Sequence, residues 1–220
     1  MWEALRVTLL LAAVTTPLLL VLAAPLAWWL SRGKDGWRDM VGAVTALPIV
    51  LPPTVLGFYL LIALGPHSPL MILLRPFGIK TLAFSFSGLV IGSLIYSLPF
   101  AVQPLRNAFE SLGRQPLEMA RLLGASRLQI LLRVILPLSR RGFITAALLV
   151  FAHTIGEFGV VLMIGGSIAG HTEVLSIRIY QAVEQLNWAE AHLLSFGLIA
   201  FAFLILMLLL RFDRRLPLVS

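Results

Sequence analysis

Apolar residues fill this chain in long uninterrupted runs, separated by short segments that hold nearly all of the charge. The first run, Val7 to Leu30, carries no charged side chain and is long enough to cross a bilayer as a helix, and Trp28 and Trp29 stand where aromatic residues mark a membrane interface. It lacks a basic lead-in and exceeds the apolar core of a secretory signal, so it reads as a retained span in which neighbouring helices tolerate Pro17 and Pro25. A second span begins near Val41 and runs through LPIVLPPTVLGFYLL, where Pro48, Pro52, Pro53 and Gly57 exclude one regular helix and predict a kink or a break near Pro52-Pro53. Gly65 to Lys80 reads as a loop with a short interfacial helix around Leu70 to Leu74. Thr81 to Leu105, Gly142 to about Gly166, and Leu193 to Leu210 complete a set of about five transmembrane helices. The fold class expected is all-α integral membrane, with residues 1–220 as a single transmembrane domain.

The longest polar interruption, residues 106–141, has internal order. Within Gln115 to Pro137, Pro116 suits a first helical position, Glu118 lies in the first turn where a carboxylate favours the helix dipole, and Gly124 can take the left-handed conformation that ends a helix. Ser126 followed by Gln129 has capping-box spacing, and the apolar helix that follows is expected to stop at Pro137. A second polar stretch, Gly165 to Glu190, is turn-rich at Gly170. Its Val174, Ile177, Tyr180 and Val183 recur as on one helix face.

Composition narrows the class. At 220 residues, 59% hydrophobic and 12% charged, the chain is too apolar for a soluble domain, and it has no room for an ATP-binding domain and no G-x-x-x-x-G-K-[ST] loop. The net charge of +7 is a matter of topology and not of nucleic-acid binding: thirteen of the seventeen Lys and Arg residues fall in residues 31–40, 106–141 and the C-terminal tail. Only Arg6, Arg75, Lys80 and Arg178 fall on the other side. The positive-inside rule therefore puts the N-terminus outside, and puts the C-terminus and the 106–141 segment in the cytoplasm. No cysteine is present, and His67, His153, His171 and His192 are scattered, so no metal site is expected.

Glu118-Met119-Ala120, Gly124 and Val134-Ile135-Leu136-Pro137 stand at the spacing of the EAA loop of ABC-importer membrane subunits, with Met119 and Val134 as apolar departures from its pattern. LPIVLPPTVLGFYLL and HTIGEFGVVLMIGGSIAGHTEVLSIRIY look like signatures of molybdate importer permeases, a type I ABC-importer group to which sulfate permeases are related. The resemblance implies a permease subunit and not an enzyme. It implies a homodimer with a second permease copy and two cytoplasmic ABC ATPase subunits that hold the ATP and Mg, this chain carrying no cofactor. It also implies a periplasmic or tethered binding protein that delivers molybdate or tungstate, and a place in the bacterial or archaeal cytoplasmic membrane. Carried onto this sequence, the ATPase-coupling residues are Glu118, Met119, Ala120, Gly124, Leu136 and Pro137.

For the translocation path or gate, the polar side chains inside the runs are the candidates: Thr54, Tyr59, Ser93, Tyr96, Ser97, Gln103, His153 and Glu157. Each could equally be a helix–helix hydrogen-bonding group. No Arg or Lys lies inside a span, so an oxyanion would be held weakly here and selected by the delivery protein. Glu157 is the one acidic residue deep in a span, expected on the same helix face as His153 and satisfied by His153, Thr154 or a nearby backbone N–H. Other classes compete: a channel or secondary carrier, or an intramembrane enzyme built on His153 and Glu157.

Overall fold

Small and apolar residues alternate with threonines on one stripe of the first helix, and this stripe is where the other helices gather. In the computed structural model, which describes residues 1–33 and 35–212, α1 (Trp2–Ser31) buries Ala4, Val7, Thr8, Leu11, Ala12, Thr15, Leu19, Ala23, Ala27 and Leu30, a three-to-four-residue repeat. Its 30 residues correspond to a rod of about 45 Å. Pro17 and Pro25 sit inside it without ending it. Lys34, Arg214 and Arg215, which enter the charge balance, lie outside the described residues.

α2 (Gly36–Val50) starts at Asp35, whose side chain accepts the Arg38 N–H at 2.9 Å, and lies against α6. At the double proline the chain breaks rather than kinks. Leu51 and Pro52 are extended, with ψ of 138° and 132°, and α3 (Pro53–Leu64) starts afresh with proline at its N-terminus. α4 (Pro69–Leu74), capped by Ser68, forms within the expected loop.

The run from Thr81 to Leu105 is not one helix. Its first residues form a turn pinned by backbone bonds from Leu82 and Ala83 to Leu64 and from Phe84 to Ile164. α5 (Phe86–Tyr96) and α6 (Leu98–Leu112) follow, bent by 43° at Ser97. Pro99 explains the bend: it has no N–H for the Ile95 carbonyl and its ring crowds that carbonyl aside.

α7 (Gln115–Leu122) and α8 (Arg127–Ile130) come next, and α8 widens into a π turn over Leu131–Ile135 before α9 (Leu136–Leu138). Pro137 therefore does not stop the helix. The wide turn bonds Leu136 N–H to the Leu131 carbonyl, and the chain runs on to Ser139. After a 66° bend α10 (Arg140–Gly156) packs on α1 and α6. The expected span to Gly166 is broken at Glu157 and Phe158. α11 (Gly159–Gly165) packs on α3 and α5, α12 (Leu175–Glu184) lies near the start of α1, and α13 (Trp188–Phe212) is the last helix among the described residues.

Three helical segments, Trp2–Ser31, Pro53–Phe77 and Trp188–Arg211, are long and apolar enough to cross a membrane, and the bent pairs α5–α6 and α8–α10 bring the number to as many as five. The second segment is displaced from the expected start near Val41, because the break at Leu51 leaves α2 with 15 residues, too short to cross alone.

Two apolar clusters mark the ends of α1. Leu19, Ala27, Leu30, Leu105, Phe109, Leu117, Ile130, Ile135 and Val150 pack toward its C-terminal end, and Val7, Leu11, Leu89, Val161, Val174 and Ile177 toward its N-terminal end. Contact between α6 and α10 depends on Gly142, where a Cβ would stand 2.4 Å from the Ala108 Cβ and 3.1 Å from the Pro104 carbonyl oxygen. Gly142→Ala is expected to push these helices apart at a cost of about 1–3 kcal/mol. A fall in melting temperature of the detergent-purified protein checks this, and an unchanged value would refute the close approach.

Candidate functional site

Two sites contain most of the candidate residues, one buried between helices and one exposed at the α7–α8 end. The buried site is a pair of polar rungs between α5 and the end of α10. The Ser93 hydroxyl donates to Glu157 Oε2 at 2.8 Å, and one turn on, at the residue that caps α5, Ser97 Oγ lies 2.9 Å from His153 Nδ1. Ser97 also lies 3.5 Å from the Thr154 hydroxyl. The imidazole is stacked on Phe100, ring centroids 4.1 Å apart, with Tyr96 against it at 4.8 Å.

Glu157 is not one turn along the same helix face from His153. α10 ends at Gly156, and Glu157 has extended backbone, φ −66° and ψ 133°. The two side chains come into line because Ser93 and Ser97 are four residues apart, not because 153 and 157 are. The partner of the carboxylate is likewise Ser93, rather than His153, Thr154 or a backbone N–H. Its backbone carbonyl accepts the Ser176 hydroxyl at 2.5 Å, tying the break to α12. The residue is 3% exposed, and Oε1 is buried with no hydrogen-bond partner.

Ser93, Tyr96, Ser97, His153 and Glu157 are thus brought together, while Thr54, Tyr59 and Gln103 are not. Thr54 and Tyr59 are exposed on α3, Tyr59 edge-on to Phe58 at 5.5 Å. Gln103 is exposed on α6 beside a separate cavity of about 170 Å³ lined by Gly42, Thr45 and Arg106.

The exposed site is an elbow. Gly124 has φ +77°, the Ala125 N–H bonds the Ala120 carbonyl at 3.0 Å and the Gly124 N–H the Arg121 carbonyl at 2.9 Å, so the left-handed turn ends α7 as the sequence predicts. Ser126 starts α8 with both halves of the capping box: Gln129 N–H to Ser126 Oγ at 3.3 Å and Ser126 N–H to Gln129 Oε1 at 2.8 Å. Leu117 and Ala120 face inward onto the cluster of Phe109, Ile130 and Ile135. Glu118 and Met119 face outward, Leu136 and Pro137 are exposed, and Leu122 and Leu123 are each 85% exposed at the tip.

No motif singles out Arg32, yet the structure gives it a place beside the elbow. At the end of α1 its guanidinium lies 3.7 Å over the Trp28 ring and Nη1 donates to the Gly113 carbonyl at 3.4 Å, fastening the turn between α6 and α7. The signal in the sequence is the i, i+4 spacing of Trp28 and Arg32. At the other end of α1, Thr8 Oγ1 accepts the Leu175 N–H at 2.8 Å, and Arg178 grips both oxygens of Glu190 at 2.7 and 3.2 Å with Glu173 at 3.6 Å. The bond to Glu190 raises the Arg178 guanidinium above its ordinary pKa. Tyr180 and Val183 remain exposed, so only Val174 and Ile177 of the expected α12 face are buried.

The elbow and the α12 segment therefore sit at opposite ends of α1, with roughly 35 Å between the levels of Thr8 and Arg32 at 1.5 Å per residue, about the thickness of a bilayer core. Residues 9–216 match the family described as binding-protein-dependent transport system inner membrane component. The chain belongs to this family. As with other inner membrane components of such systems, its relatives are named as permeases. It is 54% identical to the molybdenum transport system permease protein of Azotobacter vinelandii over 92% of this chain and 90% of that one. It is 32% identical to the sulfate transport system permease protein of Salmonella typhimurium over 96% and 78%. The fold matches a chain in the crystal structure of a bacterial alginate ABC transporter in complex with an alginate pentasaccharide-bound periplasmic protein, with a TM-score of 0.76, 17% identity, and 99% of this chain and 80% of that one covered. An inner membrane component of this family is a multi-pass membrane protein and a permease, not itself an enzyme.

Proposed function

We propose that this chain is the permease subunit of an ATP-driven molybdate importer, acting as a homodimer with two cytoplasmic ATPase subunits and a periplasmic or tethered binding protein in a bacterial or archaeal cytoplasmic membrane. The observation that carries the reading is the elbow: an exposed, rigidly capped helix pair with an apolar tip, at the far end of the bundle from α12, in a chain 54% identical to a molybdenum permease. ATP and Mg belong to the partner. The elbow's inner face, Leu117 and Ala120, packs against residues from α6 and the α8 helix, which in turn lie on α1 and α10. Movement of a docked ATPase is thereby passed to the helices that hold the Ser93–Glu157 and Ser97–His153 rungs. These rungs position the broken α10–α11 span and include no Lys or Arg to bind an oxyanion, so selection belongs to the delivery protein. N-terminus outside and C-terminus in the cytoplasm is the orientation that gives the elbow to the ATPases.

The test is reconstitution of the permease with its ATPase and binding protein in vesicles. ATP-dependent uptake of labelled molybdate, competed by tungstate and weakly by sulfate, is the expected outcome, with the ATPase co-purifying in stoichiometric amount. Purification without an ATPase, or uptake driven by an ion gradient, would return the chain to a carrier. Sulfate is the second reading, favoured by the match over 96% of this chain to a sulfate permease. Stronger competition by sulfate than by tungstate would select it.

A further inference from the structure

Arg32 ends α1 under the α6–α7 turn, with the exposed Arg114 next to Gly113 in that turn and the exposed Arg121 on α7, and none of the three has a carboxylate partner among the described residues. Arg32 is the informative one. Nη1 reaches the Gly113 carbonyl, but Nε and Nη2 are closed off from solvent and have no acceptor. Those two nitrogens form one edge of the guanidinium fork, the same edge with which Arg178 holds both oxygens of Glu190. In Arg32 it is unfilled. Burial, and then the charges of Arg114 and Arg121, lower the pKa of Arg32 below its ordinary value, and no ion pair among the described residues offsets their repulsion. Charged donors left buried and unmatched are costly, and an anion on that edge would satisfy the donors and the surplus charge together.

The position narrows the anion. Trp28 and Trp29 lie just before Arg32 at the end of an uncharged run, the depth at which lipid headgroups meet a helix. Arg114 follows directly on the Gly113 that Arg32 bonds, and positive charge supplied from two separate elements suits an anion with several oxygens around one centre better than the two oxygens of a carboxylate.

We infer that Arg32, Arg114 and Arg121 form a seat for a tetrahedral oxyanion, the phosphate of an anionic lipid headgroup or a free phosphate-like ion, beneath the turn that leads into α7. The Gly113 turn, fastened to Arg32 by one 3.4 Å bond, must lift to admit it. Occupancy would then set the position of α7, giving lipid composition or cytoplasmic oxyanion a hold on the elbow. The seat depends on these arginines and not on which substrate the protein carries.

The experiment uses the full chain purified in uncharged detergent. Retention of phosphatidylglycerol over phosphatidylcholine is read by native mass spectrometry, and thermal stability is titrated with inorganic phosphate against chloride at fixed ionic strength. Wild type is expected to show at least one of these preferences. Arg32→Gln should abolish it, and the pair Arg114→Gln and Arg121→Gln should weaken it by about tenfold, the loss of charge-assisted contacts. Preference for the lipid alone assigns the headgroup, and stabilisation by phosphate alone assigns the free ion. If Arg32→Gln does not fold, the pair decides, since both of its side chains are outside the core and the Trp28 contact is kept. No preference in wild type, or binding by the pair equal to that of wild type, would overturn the seat.

Discussion

Gly124→Val is expected to disconnect ATP hydrolysis from transport. The backbone at Gly124 holds φ +77°, and a Cβ placed there would touch nothing within 4 Å, so the penalty is conformational and not steric with neighbours. A β-branched residue in the left-handed region costs about 1–2 kcal/mol or more, enough to unwind a two-helix elbow of which α7 is 8 residues long and α8 begins with 4. The Ala125 bond to Ala120 and the capping box at Ser126 both depend on that turn. In reconstituted vesicles substrate-stimulated ATPase and uptake should fall by about tenfold or more while the permease still inserts. Gly124→Asn, which tolerates positive φ, should recover most of the activity. Wild-type stimulation by the valine variant would remove the elbow from the coupling path.

The second large effect is expected at Glu157. Glu157→Ala removes the acceptor of the Ser93 hydroxyl and opens a hole where α10 breaks. The combined loss is about 2–4 kcal/mol, seen as a lower melting temperature and poor assembly. Glu157→Gln keeps the shape and an oxygen for Ser93 to donate to, so assembly and uptake should stay near wild type. The pair separates two roles. If the glutamine variant assembles normally yet loses uptake, the negative charge itself works as a gate; if it changes which oxyanion is carried, the carboxylate belongs to the substrate path.

Local signals in this sequence were readable because they are satisfied locally. Pro116, Gly124, Ser126 and Gln129 each act within a few residues, and the structure places α7, the left-handed turn and the capping box where their spacing put them. The double proline at 52 and 53 announced a kink or a break for the same reason, and the structure shows a break. Continuity inside the apolar runs was less legible, since hydropathy does not record where a helix stops. Glu157 interrupts a run that looks uniform, and what stabilises the interruption is long-range, Ser93 with Glu157 and Ser176 with the Glu157 carbonyl; at Ser97 the local cause, Pro99, is in the sequence, but a lone proline inside an apolar run does not announce a bend by itself. Pro137 misled in the opposite direction, because a π turn absorbs the missing N–H that should have ended the helix. Of the polar side chains in the runs, nothing in the sequence separates Ser93 and His153, which face each other's helices across the buried site, from Thr54 and Tyr59, which are exposed on α3. That distinction rests on helix rotation, which only packing fixes.

The order of α1, α6 and α10 along the chain has a consequence for how the protein is made. α1 leaves the ribosome before the helices that cover its stripe, α6 and α10, which begin at Leu98 and Arg140. Until then Thr8, Thr15 and the small residues beside them must wait against lipid or the insertion machinery. Lateral release of α1 into the bilayer is therefore provisional: the helix must later leave lipid for a groove that does not exist when it is released. Chains halted before residue 140 should leave α1 accessible to a membrane-embedded cross-linker, and chains completed through α10 should protect it.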